Sequence, residues 1–220
     1  MDKLKLPDMN SLKVLDVGCS DGFFSKYFLE ELKASYVLGI DINKYDGSVA
    51  FEVLDSYQKN FEVKYNKHND FEELNKEYLK LGLENSNKYL LIKKIYDLNM
   101  EFKEGSIYDL SEYNNFDVTF CGSLLEHLRD PVTAVEQLYL ATNKYCIIDV
   151  SNTFSTRFLR KKPYIEYTNS GGNFFKYSNE SIMSIMKNVG FNNIENLSNY
   201  KIKIQKYGYK IPHGVFIGYK

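Results

Sequence analysis

Val14-Leu15-Asp16-Val17-Gly18-Cys19-Ser20-Asp21-Gly22-Phe23-Phe24-Ser25 decides how this chain is read. Leu12 to Val17 has the length and composition of a strand, and the glycine turn Gly18–Gly22 follows at once. Phe24, Tyr27, Phe28 and Leu32 then recur at helical spacing, so the turn joins a strand to a helix. A ligand in such a place meets backbone N–H groups and the N-terminus of the helix. Two familiar patterns fit poorly. As a dinucleotide turn G-x-G-x-x-G, the stretch has Ser20 for the second glycine and Phe23 for the third, and the second is what admits a diphosphate. As G-x-S-x-G, Ser20 would be a hydrolase nucleophile. That elbow needs earlier strands to supply its oxyanion loop, and here the turn follows the first strand.

Beyond this stretch, apolar runs of strand length alternate with helical patterns, which implies a parallel sheet with helices on both faces. Tyr36–Ile40 predicts a second strand ending at Asp41, Met100–Glu104 a third leading into Gly105–Asp109, Phe116–Cys121 a fourth and Tyr145–Val150 a fifth. A helix is expected from Asp130-Pro131, with proline in its first turn, and another over Asn179–Asn188, stopping at Gly190. Asn193–Leu197 and Gly214–Tyr219 are expected to pair as an antiparallel edge, giving five β/α units and then a hairpin. Nearly sixty residues separate Asp41 from the third strand, more than a crossover helix needs. Ser48–Gln58, Phe71–Leu81 and Tyr89–Leu98 each have helical spacing, so a helical insertion at about 46–98 is expected over one sheet edge, within a single domain 1–220.

Composition narrows the functional classes. At 220 residues and 44% hydrophobic the chain can build a full core, and no apolar run is long enough for a transmembrane helix. The N-terminus lacks the pattern of a signal peptide. Cys19, Cys121 and Cys146 lie far apart, without a CxxC pair or histidine cluster, which fits a reducing cytoplasm and argues against a disulfide framework or metal site. The net charge of −1 divides into −9 over residues 1–150 and +8 over 151–220. A basic C-terminal third suits an anionic substrate, or is simply a solvated lysine face. Extended duplex binding is disfavoured by the acidity of the rest.

The Asp16, Gly18, Ser20, Gly22 series resembles the first motif, D-x-G-x-G-x-G, of class I S-adenosylmethionine-dependent methyltransferases, with Ser20 for the middle glycine. Phe116-Asp117-Val118-Thr119-Phe120-Cys121-Gly122-Ser123-Leu124-Leu125-Glu126-His127-Leu128-Arg129-Asp130-Pro131 resembles the fourth motif of the small-molecule and tRNA wobble-uridine group. Lys176-Tyr177-Ser178 and Met186–Phe191 are similar to the family's late helix and Gly-Phe element. The resemblance covers residues 12–43 and 99–197. It implies a Rossmann-like doubly wound α/β sheet of seven strands, with an antiparallel C-terminal hairpin, and S-adenosylmethionine as cofactor. In that pattern Asp16 to Phe23 surround the methionine portion, with Gly18, Cys19, Ser20, Asp21 and Gly22 forming the loop. Asp41 takes the ribose hydroxyls, Ser106, Ile107, Tyr108 and Asp109 meet the adenine with Ile42 as a second apolar wall, and Cys121, Gly122 and Ser123 close the site.

His127, just after the fourth strand, is the candidate catalytic residue, as a base or as an orienting group. The stretch at about 151–177 is expected as a loop across the acceptor's entrance, with Arg157, Arg160, Tyr164, Tyr167 and Asn173 as binding residues. His213 is placed at the mouth of the site. Cys121-Gly122-Ser123-Leu124 stands where nitrogen methylases of this superfamily carry Asn-Pro-Pro-Tyr or Asp-Pro-Pro-Tyr, which favours oxygen or another small-molecule atom. The leading reading is O-methylation of a small anionic metabolite, such as a phosphorylated sugar, sugar nucleotide or surface-glycan precursor. A tRNA wobble-uridine methyltransferase and a non-catalytic partner protein of the same fold stand as alternatives; a homodimer is compatible with each.

Overall fold

The computed structural model describes residues 6–42, 85–152, 162–170, 172–203 and 210–220. Seven strands form one sheet: β1 (Lys13–Val17), β2 (Tyr36–Asp41), β3 (Met100–Glu104), β4 (Phe116–Gly122), β5 (Thr142–Ser151), β8 (Asn192–Lys203) and β9 (Lys210–Tyr219). Their order is β3-β2-β1-β4-β5-β9-β8. The first five run parallel, while β9 lies antiparallel to both β5 and β8. This is the doubly wound sheet and antiparallel C-terminal pair that the sequence predicts. The central strands are buried on both faces, as parallel sheets require: in β1, Val14 to Val17 are all buried.

Among the described residues four α-helices cover the sheet. On one face, α1 (Phe23–Glu30) and α2 (Asn85–Tyr96) pack over Val14, Val37, Val118 and Ile147. Phe120 anchors α1, its ring 4.8 Å from Phe24 and 4.9 Å from Phe28. On the other face, α3 (Pro131–Ala141) and α4 (Asn179–Val189) pack over Leu15, Val17, Cys146 and Ile148. Asp130 caps α3 by accepting the Thr133 N–H at 3.1 Å, with Pro131 at the first helical position. Ser178 caps α4 through the Ser181 N–H. No described helix is long and apolar enough to cross a membrane. All three cysteines are buried free thiols.

Two expectations need correction. The link from β3 to β4 is a series of turns, not a helix. Ile107, Leu110 and Tyr113 each reach the core from it, so burial at three-residue spacing is achieved without a continuous helix. The stretch 151–177, expected as a loop, contains a two-stranded antiparallel hairpin, β6 (Ile165–Ser170) with β7 (Asn173–Tyr177). Phe175 and Tyr177 give β7 an inward face, and the buried Tyr177 hydroxyl donates to the Leu125 carbonyl at 3.0 Å. Of the expected insertion, only its last helix falls within the described residues, as α2; Ser48–Gln58 and Phe71–Leu81 lie outside them, as do Arg157 and Arg160.

Candidate functional site

In a sheet of this order the chain reverses direction between β1 and β4, and the crevice at the C-terminal strand ends there receives ligands. The predicted residues after β1, β2, β3 and β4 all arrive at this edge. Gly18 and Gly22 have φ of +78° and +84°, conformations that glycine adopts without strain. A Cβ on Gly18 would sit 2.8 Å from Leu124, and one on Gly22 2.9 Å from both Met100 and Tyr89. The turn is therefore bare backbone, closely backed by side chains.

Its hydrogen bonding differs from the expected open cradle. Gly18 and Cys19 donate to the Ile40 carbonyl, Gly22 donates to the Cys19 carbonyl, and the Phe23 N–H reaches Asp21. The Ser20 N–H donates to Asp41 Oδ2 at 2.7 Å. These N–H groups stabilise the turn itself, so the turn meets a ligand through close approach and flanking carboxylates. That donor set fits a cofactor with a cationic ammonium end and ribose hydroxyls better than it fits a diphosphate. Asp41 thus ties β2 to the turn as well as closing the strand.

Behind the turn, Asp16 is buried and its Oδ2 accepts the Ser25 hydroxyl at 2.6 Å; Ser25 in turn accepts the Tyr89 hydroxyl at 2.9 Å. Tyr89 was not legible from sequence as a site residue, since the only signal was helical spacing within the insertion. Beside it Lys88 is buried, its pKa lowered by desolvation and partly restored by Asp21. Burial raises the Asp16 pKa to about 7; the Ser25 hydrogen bond opposes this, and the charges of Asp41 and Asp21 add to it. A carboxyl raised in the folded state favours folding while protonated, and this contribution is lost as pH rises from its ordinary value near 3.8 to about 7. Its slope is at most about 1.4 kcal/mol per pH unit. Asp16→Asn should therefore flatten the fall in urea-unfolding stability between pH 5 and 7.5; superimposable profiles for variant and wild type would refute the assignment.

The remaining residues separate by position. Ser106, Tyr108 and Asp109 are exposed on the turn after β3, where the Asp109 carboxylate accepts the Ser111 hydroxyl at 3.2 Å. Ile107 is buried in the core beneath them, while Ile42 is exposed. Cys19 and Cys121 are also buried, and burial pushes both thiols well above their ordinary range. Cys121 points into the core, so its contribution at the strand end is limited to backbone. Gly122 is half-buried, and the Ser123 N–H donates to the Asp149 carbonyl at 2.7 Å, linking the end of β4 to β5.

His127 is exposed at the end of a short 3₁₀ turn (Leu125–His127), and its Nδ1 lies 3.0 Å from the Gly172 carbonyl in the β6–β7 turn. Arg129 stacks over Phe174 nearby. His127 thus links the 3₁₀ turn to the hairpin. Tyr164 pairs with Ser178 through its backbone, Tyr167 is exposed against Phe175, and the Asn173 carbonyl accepts from Thr168. Glu126 is buried, and desolvation raises its pKa. His213 is buried against Asp149 on the sheet. Among the described residues no group of His, Cys, Asp and Glu is arranged to hold a metal ion.

This sheet, with a glycine turn after the first strand and an acid closing the second, is that of the Rossmann-like class I methyltransferases. The sequence matches the family model described as a methyltransferase domain over residues 2–196, and the chain belongs to that family. No curated protein matches it significantly in sequence. Among solved structures it is similar to the YcgJ protein of Bacillus subtilis, with 11% identity, a TM-score of 0.64, and coverage of 98% of this chain and 94% of that one. A 1,6-didemethyltoxoflavin-N1-methyltransferase of Burkholderia thailandensis, solved with its substrate and S-adenosylhomocysteine, has 12% identity and a TM-score of 0.59, covering 96% and 72%. The N-terminal domain of EvdMO1, crystallised in the presence of S-adenosylhomocysteine and D-fucose, has 13% identity and a TM-score of 0.57, covering 94% and 76%. At these identities the likeness is one of fold.

Proposed function

We propose that this methyltransferase O-methylates a small anionic metabolite such as a phosphorylated sugar, a sugar nucleotide or a surface-glycan precursor. Its cofactor is S-adenosylmethionine, which supplies an electrophilic methyl group on a sulfonium. The observation that carries the acceptor reading is the chemistry beside the glycine turn. The 3₁₀ turn after β4 and the end of β5 present buried polar side chains, Glu126, Asp149 and Ser151, where an apolar acceptor would need apolar walls. The charge of +8 over residues 151–220 supports an anionic group elsewhere on the same molecule. The EvdMO1 domain, similar in fold, was crystallised in the presence of D-fucose, which is in keeping with a sugar acceptor.

The chain's own residues divide the work. The bare turn, Asp16 and Asp41 bind and orient the cofactor, Leu124 and the 3₁₀ turn close over Gly18, and His127 fixes the hairpin beside them. Positioning an acceptor in line supplies much of the acceleration in such a displacement. Calorimetric titration with S-adenosylmethionine, S-adenosylhomocysteine and NAD tests the cofactor, with micromolar binding expected for the first two alone. Release of S-adenosylhomocysteine in the presence of glucose 1-phosphate, UDP-glucose or unmodified tRNA tests the acceptor. Turnover with tRNA alone would replace the metabolite reading, and absence of sulfur-cofactor binding would overturn the enzyme reading as a whole.

A further inference from the structure

We propose that His213, held by Asp149, accepts the proton of a hydroxyl acceptor, and that the buried polar groups around it receive the acceptor's neighbouring oxygens. This rests on the methyltransferase reading and names the base and the acceptor end of that same site.

Position comes from the strand order. Because β9 runs antiparallel to β5, its first half returns to the edge at which β4 and β5 end, with His213 opposite Ser151. That edge lies beside the cofactor turn: Val17 pairs with Cys121, Gly122 pairs with Asp149, and the Ser123 N–H bonds the Asp149 carbonyl. Three strand spacings, roughly 14 Å, separate the end of β1 from the facing part of β9 that carries His213.

The geometry around His213 is that of a held imidazole. Its Nδ1 lies 3.1 Å from Asp149 Oδ1, and the Tyr200 hydroxyl donates to Asp149 Oδ2 at 2.5 Å. Both carboxylate oxygens are occupied, which fixes the plane of the carboxylate and, through it, the ring. The Tyr200 ring also lies against the imidazole, 5.5 Å between centroids. The His213 and Asp149 side chains are 5% and 2% exposed, so the pair is largely shielded from water. With Nδ1–H donating to Asp149, the lone pair of the neutral ring is at Nε2, for which no hydrogen-bond partner occurs among the described residues.

The groups beside the pair point to the class of acceptor. Glu126 Oε1 accepts the Ser151 N–H at 3.3 Å, while Glu126 Oε2 and the Ser151 hydroxyl are buried without partners among the described residues. Buried polar atoms are normally satisfied by protein, water or ligand, and beside a ligand crevice these two can be satisfied by hydroxyls of the acceptor. Burial keeps Glu126 toward its protonated form, so it can donate as well as accept. Such a cluster suits vicinal hydroxyls; the acceptor's anionic end belongs away from Asp149, toward the basic side chains of the C-terminal third. His127 is less suited to the task, being exposed and bonded to a backbone carbonyl.

In the step itself, the acceptor O–H proton passes to Nε2 as an oxygen lone pair forms the O–CH₃ bond. The methyl–sulfur bond breaks and its electron pair stays on sulfur. Positive charge passes from the sulfonium to the imidazolium, where Asp149 balances it, and the proton later leaves to solvent. Among the described residues, the charged and titratable groups facing His213 are Asp149 from β5, Tyr200 from β8 and Glu126 from the 3₁₀ turn.

The first test needs no acceptor. In protein labelled with ¹⁵N-histidine and saturated with S-adenosylhomocysteine, neutral His213 should show a protonated Nδ1 and an unprotonated Nε2, the less common tautomer. The resonances are assigned by their loss in His213→Gln, or by their shift in Tyr200→Phe if the first variant does not fold. A neutral ring protonated at Nε2 overturns the proposal, because that nitrogen could not accept a proton. With an acceptor from the screen above, His213→Gln should lower kcat about 100-fold and remove the acid limb of the pH–rate profile, leaving S-adenosylhomocysteine affinity within about twofold. Retained kcat, or an unchanged acid limb, also overturns it. Failure of the wild-type protein to bind S-adenosylhomocysteine would instead defeat the methyltransferase reading, so the two failures are distinguishable.

Discussion

Asp41→Ala is expected to raise the dissociation constant for S-adenosylhomocysteine at least about 100-fold. The carboxylate closes β2 and accepts the Ser20 N–H at 2.7 Å, holding that residue at a φ of +49°. In the proposed cofactor complex it also accepts ribose hydroxyls. Hydrogen bonds to a charged group contribute about 1.5–3 kcal/mol each, so losing two corresponds to roughly two orders of magnitude in affinity. Asp41→Asn separates the parts: the amide oxygen can still accept from Ser20, but the charge is gone. Its affinity should fall between those of alanine and wild type. Calorimetry on variants with wild-type melting temperatures is the decisive comparison, and an unchanged dissociation constant for Asp41→Ala would remove Asp41 from the cofactor site.

Tyr89→Ala should be the more damaging change to the fold, at about 3–5 kcal/mol by urea unfolding. The ring is fully buried on the strand side of α2. A Cβ on Gly39 would approach it to 2.5 Å, and one on Gly22 to 2.9 Å, so β2 and the glycine turn are both shaped around it. Phe102 packs beside it with centroids 5.7 Å apart. Removing the ring opens a cavity beneath the turn that these neighbours cannot fill without moving the strand. Tyr89→Phe keeps the packing and removes only the donor to Ser25, so it should cost about 1–2 kcal/mol and perturb the Asp16 hydrogen bond. Equal losses for the two variants would show that the hydroxyl, not the volume, is what matters. A loss below about 1 kcal/mol for alanine would contradict the wedge described here.

The glycine turn, the acid at Asp41 and the β1–β5 order were legible because their signals are local. A strand buried on both faces reads as a continuous apolar run, and a left-handed turn demands glycine where it occurs. The helix start at Asp130-Pro131 and the helix stop at Gly190 were likewise written in terminal residues. The β6–β7 hairpin was not legible, since Arg, Lys, Asn and paired glycines around it read as loop, and its inward residues are recognisable only once the 3₁₀ turn lies against them. The β3–β4 link shows the converse error, where repeated β/α order suggested a helix that eleven residues of successive turns replace.

The sequence by itself determined the class of sheet, the place of the glycine turn and the identity of the residues at the strand ends, because those follow from spacing within a few residues. Only the tertiary structure decided which distant side chains meet. Tyr89 reaches Ser25 across 64 positions, and His213 reaches Asp149 across another 64. In the sequence His213 is a histidine near a strand end and Asp149 an acid inside an apolar run. The antiparallel register of β9 on β5 brings them together, and no local pattern encodes that register.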